Sequence, residues 1–215
     1  MEKVEFFFDC SSPWTYIAFH NILAMREELG MIIEWRPILV GGVFNAINTN
    51  VYRIRENPVP AKDAYIGKDL NDWAQLSGLK ILWPPSIFPI NSVRAMRACI
   101  VALDQKQLEP FARRLFELYW GEDQDISQDD ALLEAANCAD MNGDHILNAI
   151  EKVAIKSRLR KNTEELIHRG GFGSPTMFVG KHDMYFGNDR LPLVKNALLT
   201  QSVVDDTHKL DISSF

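Results

Sequence analysis

Ser12, Pro13 and Thr15 stand where an apolar segment of the chain gives way to an amphipathic one. Their spacing, Ser-Pro-x-Thr, is that of a Cys-Pro-x-Cys redox motif with a hydroxyl in place of each thiol. The first turn of a helix has unpaired N–H groups and the positive end of the helix dipole, so a hydroxyl there lies where an anion is favoured. Proline suits the first helical position because it lacks the N–H. The motif therefore predicts a site that holds a thiolate and forms no disulfide. The alternative is that Ser12 only caps the helix.

The elements around this motif have the pattern of a β-α-β unit. Residues 3–9 are typical of a buried strand, residues 13–29 of a helix that ends at Gly30, and residues 31–39 of a second strand. Because the crossover is short and helical, we expect the two strands to be parallel neighbours in one sheet.

The middle of the chain has a different pattern. Residues 40–60 carry paired glycines, several asparagines and Pro58-Val59-Pro60, which predict a long loop of the functional kind. Helical periods follow at residues 61–76, 91–103, 108–120, 127–139 and 143–169, the last possibly divided in two. Strand patterns return at residues 176–179 and 184–186 across a hairpin turn, and a closing helix is predicted at residues 189–199.

This order of elements predicts an α/β fold in which a thioredoxin-like domain is interrupted by an all-helical insertion. We assign residues 1–40 and 170–200 to the thioredoxin-like domain, residues 41–169 to the connecting loop and helical insertion, and residues 201–215 to a polar tail. Four tryptophans are expected in core or dimer packing: Trp35, Trp73, Trp83 and Trp120. The fold would place Ser12 beside the loop that precedes the third strand.

That loop is the second informative segment. Residues 173–176, Gly-Ser-Pro-Thr, run directly into the third strand, and Pro175 is a candidate for a cis peptide bond. If the bond is cis, the backbone N–H and C=O of Ser174 would face the tip of the first helix. An extended cysteinyl peptide could then pair with them as an added strand. The alternative is a trans proline that begins an edge strand.

Asn188 and Asp189 stand at the start of the last predicted helix. A helix N-terminus binds a carboxylate through its free N–H groups, and an aspartate beside it can accept a hydrogen bond from an ammonium. An α-amino acid zwitterion meets both demands. The alternative is an aspartate that only caps the helix.

Composition excludes several classes of partner. The net charge is −6 and no run of Lys and Arg occurs, which argues against nucleic acid or an anionic membrane. No stretch has the apolar length of a bilayer span, and no secretion signal precedes the first strand, so we expect a cytoplasmic protein. Cys10, Cys99 and Cys138 are far apart and lack histidines at ligand spacing, which supports neither a disulfide framework nor a metal site. Cys10 is expected to be a small buried apolar residue.

Taken together, residues 8–16, 173–176 and 187–191 resemble the 2-hydroxychromene-2-carboxylate isomerase family and its relatives, the kappa-class glutathione transferases. The resemblance covers nearly the whole chain and includes residues 88–92, Phe-Pro-Ile-Asn-Ser. It implies a thioredoxin fold of the DsbA type with a helical insertion, a homodimer, and glutathione as a recycled cofactor.

The resemblance also implies roles for particular residues. Ser12 would be the catalytic residue, whose hydroxyl stabilises the glutathione thiolate. Ser174 would bond the cysteinyl backbone of glutathione, and Asn188 with Asp189 would hold its γ-glutamyl end. The full set of implied glutathione contacts is Ser12, Pro13, Trp14, Asn48, Ser174, Pro175, Asn188 and Asp189.

One segment departs from the family pattern. The isomerases commonly carry Val-Phe-Lys-Ala-Thr-Gly-Asn after the second strand, whereas residues 43–50 here are Val-Phe-Asn-Ala-Ile-Asn-Thr-Asn. Asn45 therefore stands where a cation would meet a substrate carboxylate, and an amide cannot supply that charge. Asn45 and Asn91 are the predicted substrate contacts. The resemblance implies a polar contact with glutathione from this segment, and which of Asn48, Thr49 and Asn50 makes it is left open.

We therefore predict a glutathione-dependent isomerase that acts on a small conjugated aromatic carbonyl compound, with a place in the catabolism of aromatic compounds. The thiolate would add to the substrate, turn a double bond into a rotatable single bond, and leave. Two alternatives remain open, a kappa-like glutathione transferase and a module that binds glutathione or a thiol peptide without catalysis. A dithiol oxidoreductase is disfavoured because Ser12 and Thr15 cannot form a disulfide.

Overall fold

A four-stranded mixed sheet positions the candidate site. The computed structural model describes residues 3–200, and the predicted tail at residues 201–215 lies outside them. The strands are β1 (Lys3–Phe8), β2 (Ile32–Pro37), β3 (Thr176–Val179) and β4 (Asp183–Phe186), in the order β2-β1-β3-β4. β1 runs parallel to β2 and antiparallel to β3, and β3 and β4 form the predicted hairpin. The predicted β-α-β unit is confirmed.

Helices fill most of the chain between β2 and β3. The helices are α1 (Pro13–Leu29), α2 (Val40–Ile47), α3 (Asn50–Glu56), α4 (Pro60–Leu76), α5 (Val93–Asp104), α6 (Leu108–Phe116), α7 (Asp129–Cys138), α8 (Gly143–Ala149), α9 (Val153–His168) and α10 (residues 191–200). A π-helical turn at Glu117–Gly121 extends α6, and a 3₁₀ turn at Asn188–Arg190 precedes α10. The predicted division of residues 143–169 into two helices is confirmed. Within residues 3–200, no helix is long and apolar enough to cross a bilayer.

The prediction of a long loop over residues 40–60 is wrong, because α2, α3 and the start of α4 occupy it. The paired glycines suggested a loop, but they permit close helix packing. A Cβ added to Gly42 would lie 3.3 Å from the Cγ2 atom of Thr163 on α9, which shows how near the two helices come. The first N–H of α2, on Val40, donates to the distant Asp9 carboxylate at 2.8 Å, so no local cap residue marks the helix start.

The core lies on both faces of β1. Phe6 and Phe8 point to one face and pack with helices of the insertion, including Phe116 of α6, whose ring lies 6.5 Å from that of Phe8. Phe7 points to the other face, where a smaller cluster joins it to Phe178 of β3. This alternation is that of a strand buried on both sides. The insertion shares the larger core with the sheet. The domain boundaries at residues 40 and 170 stay a prediction.

Candidate active site

The turn between β1 and α1 presents Ser12 at the N-terminus of α1. Its backbone is extended, with φ −105° and ψ 122°, and its Oγ accepts a hydrogen bond from the Thr15 N–H at 3.2 Å. Its hydroxyl also donates to the Ser174 carbonyl oxygen at 3.0 Å, across 162 residues of sequence. Ser12 is therefore a helix cap, as the alternative interpretation held, and it also joins the two predicted halves of the site.

The loop before β3 meets this turn through buried hydroxyl groups. The Ser174-Pro175 peptide bond is cis, as the sequence predicts. The Ser174 Oγ lies 2.7 Å from the Thr15 Oγ1 and accepts a hydrogen bond from the Asp9 N–H at 3.0 Å. Thr15 is fully buried, whereas Ser12 is partly exposed. Of these two motif hydroxyls, Ser12 is thus the one that a ligand can reach.

Asp9 is a feature of the site that the sequence analysis missed. Its carboxylate is fully buried and accepts four hydrogen bonds. Oδ1 takes the N–H and the hydroxyl of Ser11, each at 2.9 Å, and Oδ2 takes the Val40 N–H at 2.8 Å and the Ser92 hydroxyl at 3.0 Å. Burial raises the pKa of Asp9, and the four donors oppose that rise. An acidic residue directly after an apolar strand was the available signal.

Asn45, Asn48 and Asn91 occupy three different places around the turn. The Asn48 side chain donates to the Phe172 carbonyl at 3.3 Å, which brings the end of α2 to the loop before β3. The Asn45 Oδ1 accepts a hydrogen bond from the Tyr52 hydroxyl at 2.8 Å, and the Asn91 Oδ1 accepts one from an N–H of α5. Asn45 and Asn91 are both exposed.

The turn that carries Asn188 and Asp189 is tied to the same loop. The Gly187 N–H donates to the Pro175 carbonyl at 3.1 Å. Asn188 is buried, and its Oδ1 accepts a hydrogen bond from Asn21 of α1 at 3.0 Å. Its Nδ2 has no hydrogen-bond partner among the described residues. The Asn188 side chain therefore anchors the turn to α1, and the backbone N–H groups of the turn are what a ligand could meet. Asp189 is exposed and pairs with the neighbouring arginine.

An aromatic cluster of Trp83, Phe88 and Trp120 supports the turn from the insertion. Trp120 is fully buried, as expected, and its Nε1 donates to the Cys10 carbonyl at 2.9 Å. Trp83 stacks on Trp120 with 6.0 Å between ring centroids, and Phe88 meets Trp83 edge-on at 5.0 Å. Cys10 is buried, as predicted, and burial together with its neighbour Cys99 raises the pKa of the Cys10 thiol well above its usual value. Cys10 is thus held as a neutral thiol.

The electrostatics at Ser12 favour an anion. The first turn of α1 carries no acidic residue, so no carboxylate of that turn offsets the positive end of the helix dipole. A thiol has a pKa of about 8.5 in water, and a helix N-terminus with a hydroxyl donor lowers it. The arrangement can therefore hold a thiolate against Ser12, beside peptide groups at Ser174.

The fold and the site together define a thioredoxin-like protein with a helical insertion, in which Ser12 and Thr15 stand at the two motif positions. The chain belongs to the DsbA-like thioredoxin domain family, whose model matches residues 3–199. It is 30% identical over 198 residues to the 2-hydroxychromene-2-carboxylate isomerase of Pseudomonas putida, with 91% of this chain and 93% of that protein covered. It is 29% identical over 205 residues to glutathione S-transferase kappa 1 of Rattus norvegicus, with 89% and 88% covered.

A solved structure agrees with these relatives. A 2-hydroxychromene-2-carboxylate isomerase superposes with a TM-score of 0.81 at 25% identity, over 97% of this chain and 98% of that one. The comparisons confirm the predicted family, its fold and an enzyme of this class. The roles predicted for Ser12 and the other site residues stay predictions.

Proposed function

We propose that the protein binds glutathione between Ser12, the loop at Ser174 and the turn at Asn188, and that it uses the thiolate to isomerise a small conjugated aromatic carbonyl compound. The hydrogen bond from the Ser12 hydroxyl to the Ser174 carbonyl carries this proposal. It brings the group that would stabilise a thiolate within reach of the backbone that would bind a cysteinyl peptide.

The chemistry of the donors fits a γ-glutamyl tripeptide in three parts. A thiolate suits the N-terminus of α1, where Ser12 is partly exposed. A peptide N–H suits the Ser174 carbonyl. This carbonyl accepts a hydrogen bond from the Ser12 hydroxyl, which can rotate away. A zwitterion suits the turn before α10, where the N-terminal end of a 3₁₀ turn stands next to the exposed Asp189 carboxylate. Hydrogen bonds already join all three segments.

Bound glutathione would supply the nucleophile for a conjugated carbonyl compound. Ser12 has a single hydroxyl proton, and the hydroxyl donates it in a hydrogen bond to the Ser174 carbonyl oxygen. To stabilise a negative sulfur, the hydroxyl must turn its proton toward the ligand, while the Thr15 N–H continues to hold the Ser12 oxygen. The Ser174 carbonyl is then free to accept the cysteinyl N–H. Peptide binding and thiolate stabilisation are therefore two halves of one exchange of hydrogen bonds.

A kappa-like glutathione transferase is the second candidate. The relatives named as transferases and as isomerases are about equally similar to this chain, at 29% and 30% identity. In a transferase the thiolate would attack an electrophile and leave with the product. A catalytic amount of glutathione with an aromatic enone separates the two. Isomerised product with glutathione recovered supports the isomerase, and a conjugate that accumulates as glutathione is consumed supports the transferase.

Glutathione binding is the first test. Titration calorimetry is expected to show saturable binding with a Kd of about 1 mM or tighter, the range in which a cellular cofactor is useful. A glutathione analogue with alanine in place of cysteine is the matched control, because it keeps the peptide and zwitterion groups and lacks the thiol. We expect it to bind more weakly. Absence of glutathione binding at about 10 mM would overturn the proposal.

We also propose that the protein works as a cytoplasmic homodimer. Cys10, Cys99 and Cys138 are free thiols, the state typical of a reducing compartment. The family resemblance implies a dimer, and the exposed apolar side chains of Ile54 and Tyr65 on α3 and α4 give a second copy a surface to cover. Light scattering on the protein as it elutes from a size-exclusion column would measure its molecular mass. The mass of a monomer at all protein concentrations would contradict the dimer.

A further inference from the structure

Arg55 on α3 is a cation held against aromatic rings. The central carbon of its guanidinium lies 5.7 Å from the ring centroid of Phe44 and 5.2 Å from that of Phe88. Both distances are within the range of a cation–π contact. Among the ion pairs and hydrogen bonds of residues 3–200, none gives the Arg55 side chain an acidic partner. Its planar set of N–H donors is therefore open to an external anion.

The surroundings of Arg55 penalise its charge. Desolvation lowers the pKa of the guanidinium, and only Tyr52 and Tyr119 act in the opposite direction. Arg55 nevertheless remains exposed to solvent. The fold thus keeps a partly desolvated positive charge at an accessible position without a described counter-ion. A ligand carboxylate would supply that counter-ion through charge-assisted hydrogen bonds.

One of the rings that Arg55 contacts is part of the cluster that supports the Ser12 turn. Phe88 belongs to the aromatic cluster, and Trp120 of that cluster bonds the Cys10 carbonyl, two residues before Ser12. Phe44, Trp83 and Phe88 are half-buried, so each keeps part of its ring accessible. A flat conjugated molecule suits such a ring-lined surface, with its electrophilic end toward Ser12 and an anionic end toward Arg55.

We propose that Arg55 is a specificity-determining residue that binds the carboxylate of an anionic aromatic substrate. The inference rests on the proposed function and adds the residue that would recognise a substrate carboxylate. It also offers a different source for the cation that Asn45, at the position of the isomerases' lysine, cannot supply. The Asn45 amide is engaged by the Tyr52 hydroxyl of α3, and the cation of this surface comes from the same helix, three residues beyond Tyr52.

The test compares an acid with its uncharged ester. The probes are the Z isomers of 4-carboxybenzylideneacetone and of its methyl ester, with their glutathione-dependent conversion to the E isomers, followed by the change in enone absorbance, as the readout. Arg55→Gln is expected to lower kcat/KM for the acid about 10- to 100-fold, mainly through KM, and to change the ester by less than about twofold. Arg53→Gln is the matched control, because Arg53 is exposed on the same helix and makes no described ring contact. Arg53→Gln should leave kcat/KM unchanged for both the acid and the ester.

A second readout separates this inference from the proposed function. Quenching of tryptophan fluorescence gives the Kd of each probe without glutathione. If neither probe reacts but Arg55→Gln weakens binding of the acid alone by about 10-fold, the proposed function fails and the Arg55 site stands. Equal effects on the Kd and kcat/KM of acid and ester, or no effect on the acid, would overturn the Arg55 site. Arg55 is exposed, so both variants should keep the thermal stability of the wild type.

Discussion

Ser12→Ala is expected to lower glutathione-dependent kcat/KM by about 100- to 1,000-fold, the scale for removal of one donor to a reacting anion. The pKa of the bound thiol should rise toward its value in water of about 8.5, because the hydroxyl donor is gone. The pH dependence of thiolate absorbance measures that pKa. The protein should stay folded, since the lost cap and the lost bond to Ser174 together cost about 1 to 2 kcal/mol.

Two variants control this experiment. Ser12→Thr keeps a hydroxyl at the same position and should retain much of the turnover. Ser11→Ala removes the neighbouring hydroxyl, which bonds Asp9, and should change kcat/KM by less than about threefold. If Ser12→Ala and the wild type hold glutathione with the same thiol pKa, the Ser12 hydroxyl has only a structural role.

Asp9→Asn is expected to cost about 2 to 4 kcal/mol of unfolding free energy at neutral pH. The amide keeps the size of the side chain but places an NH₂ donor where the carboxylate oxygen accepts hydrogen bonds from N–H and O–H groups. Donor then faces donor, and those hydrogen bonds are lost. Urea denaturation at several pH values measures the loss. Ser92→Ala removes one of the four donors and should cost less, about 1 kcal/mol.

The pH dependence of this loss has a definite sign. Burial raises the pKa of Asp9 in the folded protein above its ordinary value of 3.8. The stability that the protonated carboxyl contributes is full below that ordinary value and is lost as pH rises through the folded-state pKa. The amide does not titrate. The stability gap between wild type and Asp9→Asn should therefore be largest at acid pH and narrow as pH rises. A gap that widens would show that the folded-state pKa is lowered.

The parts of the site that the sequence predicts correctly depend on local patterns. The Ser12 turn and the Ser174-Pro175 loop each have a short motif, and the strands beside them have clear apolar patterns. The sequence predicts a loop where α2 forms, because the first N–H of α2 is capped by Asp9, 31 residues earlier in the chain. Glycine suggests a loop in sequence, yet Gly42 lies in a helix that packs closely on α9.

The missed residues depend on contacts between distant segments. Asp9 reaches Ser92 across 83 residues, and no local pattern announces that pairing. Arg55 is a candidate binding residue because it contacts the rings of Phe44 and Phe88, and only the folded chain brings these rings together. Asn188 was predicted to face a ligand, but its side chain is buried against Asn21. Sequence patterns identify where a backbone turns, whereas the partner of a side chain follows from the tertiary fold.

The hydrogen bond from the Ser12 hydroxyl to the Ser174 carbonyl bears on which thiols the site would bind as thiolates. The Ser12 hydroxyl donates to the Ser174 carbonyl, and in the proposed exchange a cysteinyl N–H takes its place. A simple thiol such as 2-mercaptoethanol has no amide N–H, so it cannot replace the Ser12 hydroxyl at that carbonyl and should gain less from the hydroxyl than a cysteinyl peptide does. A cysteinyl peptide brings a sulfur and an amide together, so in the proposed exchange its N–H would replace the Ser12 hydroxyl at the carbonyl and leave that hydroxyl to donate a hydrogen bond to the sulfur. Under the proposed function, the turn should therefore favour thiols that a peptide carries over simple thiols.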